Sequence, residues 1–62
     1  MEKWIAEAIG KMHIYGISQS DLAKQMGVRR EYLNRVLNGK EHPANAEKRV
    51  LEAIESITKG QS

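Results

Sequence analysis

Two short amphipathic helical patterns separated by one glycine constrain this 62-residue chain more than anything else in it. The first begins at Ser18 and sets Leu22, Ala23 and Met26 on one face. The second runs from Arg29 or Arg30 to Leu37 and turns Leu33, Val36 and Leu37 inward, with Tyr32 beside them. Apolar residues three and four apart follow the helical period. Gly27 stands between the two patterns, and glycine makes a tight turn there without a Cβ penalty. Helices joined so closely must cross at a steep angle and touch. Only a small residue fits at the closest point, and Ala23 is read there. Val28, Leu33 and Val36 then pack back onto Leu22 and Met26 and fix the angle.

The remaining segments read as further helices. Trp4, Ile5, Ala8, Ile9 and Met12 form a broad apolar stripe on a helix over 3–14, ended by Gly16. Gly10 inside that pattern costs about 1 kcal/mol relative to alanine; it marks either a close backbone approach or nothing. Ser18 and Asp21 form a Ser-x-x-Asp start, a capping box with the shorter acid. Asn38-Gly39 stops the helix that ends at Leu37. Residues 39–44 read as a loop, in which Pro43 disfavours helical backbone at His42. Asn45 is the expected N-cap of a last helix over 46–58, with Val50, Leu51, Ile54 and Ile57 on its apolar face. Residues 59–62 read as a frayed tail. No stretch alternates with period two. The expected fold is all-α: one domain over 1–62, a compact bundle of four short helices, or five if the last one breaks near Ser56.

A chain this short has a stability of about 3–9 kcal/mol. It contains no cysteine, so neither a disulfide nor a thiolate zinc site supplements the core. No apolar run approaches the roughly 20 residues of a spanning helix. Glu2 and Lys3 lead into an amphipathic stretch rather than an apolar signal segment. These features predict a soluble, cytoplasmic protein. The net charge of +2 matters less than its distribution. Leu22–Arg49 holds seven basic residues (Lys24, Arg29, Arg30, Arg35, Lys40, Lys48, Arg49) against Glu31, Glu41 and Glu47, a net of +4, and each flank is −1. A local basic patch suits a polyanion, although a solvated charged face has the same composition.

The stretch Gln19–Gly39 resembles the lambda-repressor/Cro-like helix-turn-helix family. Gln19, Leu22, Ala23, Gly27, Val28, Leu33, Val36 and the Leu37-Asn38-Gly39 ending carry the resemblance, which is close over about a third of the chain. It implies a DNA reader whose second motif helix enters the major groove. By resemblance, Arg30 and Glu31 match base-reading positions; arginine bonds guanine bidentately and glutamate accepts from cytosine. Glu31 could instead pair with Arg35 along the helix. Arg35 matches a position that reads bases, Asn34 faces adenine or backbone, and Arg29 adds another cation towards DNA. Gln19 matches a phosphate contact at a helix N-terminus, or is simply solvated there. Asn38 matches a residue that anchors the following loop to phosphate, a role compatible with helix C-capping. Lys40 is read as a phosphate contact, its bland alternative being solvation. The implied partner is double-stranded DNA with a palindromic operator, bound by a homodimer that forms through helix four or only on DNA. The implied role is a small phage- or mobile-element-type repressor.

Three positions depart from the family pattern. Arg29 stands where serine or threonine usually caps the second motif helix, Met12 where helix one often carries an arginine, and a fifth helix has little room. Neither enzyme nor cofactor is expected: His13 and His42 are the only histidines, and Glu41-His42 offers too few ligands for a metal. The competing reading is a helical protein–protein module without DNA binding, with Trp4, Ile54 and Ile57 as its surface.

Overall fold

The structure, a computed structural model, describes residues 2–60. It is all-helical: α1 (Lys3–Tyr15), α2 (Gln19–Met26), α3 (Arg30–Leu37) and α4 (Ala46–Gly60). α4 packs against α1 and α2, and α3 packs chiefly against α2. Ile5, Leu22, Leu33, Leu37 and Val50 are almost fully enclosed. Each such side chain contributes about 1.5–3 kcal/mol. Among the described residues no polar or charged side chain is buried, so every chemically active group lies on the surface.

The two connections around α2 are built alike, as Gly16-Ile17-Ser18 and Gly27-Val28-Arg29. In each, the glycine is left-handed, with φ 67° at Gly16 and 72° at Gly27. The next N–H returns to a carbonyl five residues earlier, Ile17 to Met12 at 2.8 Å and Val28 to Ala23 at 3.0 Å. That bond satisfies an orphan carbonyl at the helix end. The apolar residue then precedes the next N-cap by one position, where it staples onto the first inward residue of the new helix. Ile17 and Leu22 share the core, as do Val28 and Leu33, with Val28 at its edge. The sequence pattern turns Val28 inward but not Ile17, which lies between helical patterns and belongs to neither period.

The caps differ. Ser18 Oγ accepts from Asp21 N–H at 3.0 Å, and the Asp21 carboxylate accepts from Ser18 N–H at 3.4 Å. The capping box is therefore complete. Arg29 caps α3 with extended backbone and no side-chain hydrogen bond.

Several expectations need correction. Ile9 is 41% exposed, because α1 buries only the Ile5, Ala8, Met12 line, a narrower stripe than the apolar pattern. Met12, where the family often has arginine, is a core residue, in keeping with its place on the apolar stripe. Asn45 sits at the expected N-cap of α4, and its carbonyl accepts from Arg49 N–H at 2.9 Å. Its backbone, however, is left-handed (φ 63°) rather than the extended form a side-chain cap needs. Asparagine tolerates that conformation better than other side chains. α4 continues unbroken through Ser56, so four helices account for the described residues, and Ala53 joins its buried face. Lys59 and Gly60 of the expected tail are helical, and Gln61 and Ser62 lie outside the described residues. Of the three residues in the alternative partner surface, Ile54 is buried, and Trp4 and Ile57 are partly buried against the core. Among the described residues the exposed large apolar side chains, Ile9, Ile14 and Tyr15, all lie on α1.

A Cβ at Gly10 would meet nothing within 4 Å. Gly10→Ala should therefore stabilise the protein by about 0.5–1 kcal/mol, read as a higher denaturant midpoint. Ala23 is 3% exposed. Ala23→Leu should cost about 1–3 kcal/mol by overpacking, and an unchanged melting curve would refute the close helix approach at that residue.

Candidate nucleic-acid interface

α3 divides its surface sharply. Leu33, Val36 and Leu37 are buried, and Arg30, Glu31, Asn34, Arg35 and Asn38 are exposed. Residues four apart lie one above another on a helix. Arg30, Asn34 and Asn38 therefore form one row, with Glu31 and Arg35 in the next. Arg29 precedes the helix as its N-cap, and Lys40 follows just beyond the turn.

A chain of side-chain amides ties this row to α2. Asn38 Nδ2 donates to Asn34 Oδ1 at 2.7 Å, and Asn34 Nδ2 donates to Gln19 Oε1 at 3.1 Å. Gln19 is the first residue of α2 and is half-buried. Three residues with separate roles in the sequence pattern thus form one connected unit. The Asn34–Asn38 contact is accessible from four-residue spacing. The Gln19–Asn34 contact is not, because it exists only once α2 and α3 have crossed. Its chemistry is directional. Each amide has one oxygen and two N–H donors. The oxygens of Asn34 and Gln19 are engaged within the chain, while Gln19 Nε2 remains a terminal donor. At the other end Asn38 Oδ1 accepts no bond within this set, so the edge offers both N–H donors and carbonyl acceptors, which suit phosphate oxygens and base edges.

The charges are placed to match. Among the described residues, Arg29, Arg30 and Lys40 form no ion pair, and neither does Glu31. The alternative pairing of Glu31 with Arg35 does not occur. Arg35 Nε instead donates to Glu41 Oε1 at 3.1 Å, and its guanidinium carbon lies 5.9 Å from the Tyr32 ring centroid. The sequence pattern offers Glu41 only as a poor metal ligand. No periodicity links residues six apart, and the pair arises from the turn at Gly39.

The second cluster of polar groups is remote in character. The Glu2 carboxylate accepts from the Trp4 indole N–H and pairs with His42 Nδ1 at 3.1 Å. It joins the start of α1 to the loop before α4, beside a groove of about 460 Å³ lined by Trp4, Pro43 and Leu51 among others. His13 is exposed in the last turn of α1. Among the described residues no group of three or more histidines and carboxylates is placed to hold a metal ion.

The uncapped start of α3 has an internal control in the capped start of α2. Arg29→Ser should supply the missing cap and raise stability by about 1 kcal/mol. Thermal melts of the variant check this, with no gain expected from Arg29→Ala.

A helix-turn-helix family model matches residues 15–57, more than two thirds of the chain. No curated protein and no solved structure matches it. The matched span runs from the last residue of α1 into the final turns of α4 and contains the whole amide chain and every residue of the α3 surface. This helix-turn-helix is that of a DNA-binding regulator, and the chain belongs to the lambda-repressor/Cro-like helix-turn-helix family.

Proposed function

We propose that this protein binds double-stranded DNA sequence-specifically, as a small transcriptional repressor of the phage or mobile-element type, with α3 in the major groove. The observation that carries this reading is the Gln19–Asn34–Asn38 amide chain, which locks the polar row of α3 to the start of α2. A row whose own groups hold one another needs little reordering on binding, and that lowers the entropic cost of recognition. In this reading Arg29, Arg30, Glu31, Asn34 and Arg35 face base edges, and Gln19, Asn38 and Lys40 face phosphates. Residues 1–62 act as a single DNA-binding domain without enzymatic activity, in the compartment that holds the DNA. Among the described residues no helix is long and apolar enough to cross a membrane.

One eight-residue helix gives limited affinity, so two copies act on half-sites about 34 Å apart. α4 spends its apolar face on α1 and α2. That favours pairing on a palindromic operator over a dimer held by α4.

Selection of bound sequences from a random duplex pool tests the proposal. A palindromic sequence with half-sites one helical turn apart is expected. Binding that enriches no sequence and ignores salt would overturn it, since phosphate contacts weaken steeply as salt rises. On the selected operator, Arg30→Ala should cost about 1–3 kcal/mol and relax preference at one base position. Equal affinity and unchanged preference would remove Arg30 from the base-contacting set.

A further inference from the structure

The pairing of Arg35 with Glu41 has no part in the roles assigned above, and it places an acid at the edge of a surface meant for DNA. We propose that Glu41 is a specificity-determining residue that acts through Arg35: by holding Nε, it aims the terminal nitrogens of the guanidinium at one guanine. This inference rests on the reading of α3 as the base-contacting helix.

The turn after α3 creates the pair. Gly39 is left-handed (φ 77°), and Lys40 N–H returns to the Arg35 carbonyl at 2.9 Å. The chain therefore doubles back beside Arg35, and Glu41 comes within reach although it lies six residues later. The carboxylate engages Nε at 3.1 Å. Arginine has five N–H donors, one on Nε and four on the two terminal nitrogens. With Nε occupied, the outer edge of the fork is left, and that edge matches guanine O6 and N7. Tyr32, three residues earlier on the same helix, supports the guanidinium with its ring at 5.9 Å. Arginine otherwise loses much rotamer freedom on binding, so two standing contacts remove part of that cost in advance.

Neither stability nor general affinity accounts for the pair as well. As a stabilising bridge it is weak, because Arg35 and Glu41 are 48% and 40% exposed and solvent screens them. As a contributor to general DNA affinity Glu41 is counterproductive, since its charge repels phosphates and withdraws Arg35 from them. An acid in this place lowers affinity for any DNA while restricting what Arg35 can bind, which favours selectivity.

The test compares sequences selected from a random duplex pool by the wild-type protein and by Arg35→Ala, Glu41→Ala and Glu41→Lys. The wild type should enrich guanine at one position per half-site that Arg35→Ala no longer prefers. Both Glu41 variants should lower discrimination at that same position about ten-fold, the size of one good base contact. They should leave the other positions unchanged and bind random DNA more tightly at low salt, Glu41→Lys most of all. Unchanged guanine preference in both Glu41 variants would overturn the proposal. So would a loss spread over several positions with a lowered melting temperature, which would make the pair a general brace for α3. Enrichment of no sequence by the wild type would bring down the proposed function itself, and the aiming of Arg35 with it. Enrichment by the wild type with no position-specific effect of Arg35→Ala would overturn only the aiming.

Discussion

Gly27 turns the chain between α2 and α3, and the direction α3 takes from there sets everything the candidate interface can offer. The left-handed backbone at that glycine lets Val28 N–H reach back to the Ala23 carbonyl and close the end of α2. Val28 is then positioned to staple the start of α3, where Leu33 enters the core. A side chain with a Cβ would strain the turn itself, because the left-handed region is costly for most residues. α3 has only eight residues, too few to persist alone, so its helicity and orientation both come from docking onto α2.

That docking brings the polar groups together. The core is wholly apolar among the described residues, which leaves the polar chemistry to the surface rows of α3 and the first residue of α2. Gln19 belongs to a different helix from Asn34, and their hydrogen bond is a direct readout of the α2–α3 crossing. A change in that angle would alter the distance between the two amides. The interface is therefore coupled to the turn by geometry, with no need for a flexible element between them.

Much of the fold is legible because local rules and tertiary packing agree. The Ser18–Asp21 capping box, the glycine ends at 16, 27 and 39, and the inward faces of α2 and α3 all follow from residue spacing and turn chemistry. Failures occur where one residue serves two elements or where an apolar pattern exceeds the available partner. Ile17 closes α1 and precedes the N-cap of α2, so neither helical period contains it, and unlike Val28 it is not among the residues that carry the family resemblance. Ile9 satisfies the period of α1 but lies outside its buried line and stays 41% exposed. Asn45 marks a helix boundary, yet its left-handed backbone comes from the 39–44 loop and not from capping preference.

For the candidate interface, residue spacing alone assigned which residue types stand on the exposed rows of α3. A helix whose apolar positions are Leu33, Val36 and Leu37 has to turn Arg30, Glu31, Asn34 and Arg35 outward. It also determined that a small residue and a glycine, Ala23 and Gly27, would govern how two helices meet. Which of the outward groups are joined follows instead from how the helices and the loop after α3 fold together. Gln19 meets Asn34 across a helix crossing, and Arg35 leaves Glu31, its neighbour in the helical period, for Glu41 across a turn. Helical periodicity fixes neighbours within one element, whereas these partners come from separate segments. Their separation depends on the crossing of α2 and α3 and on the path of the chain after Gly39.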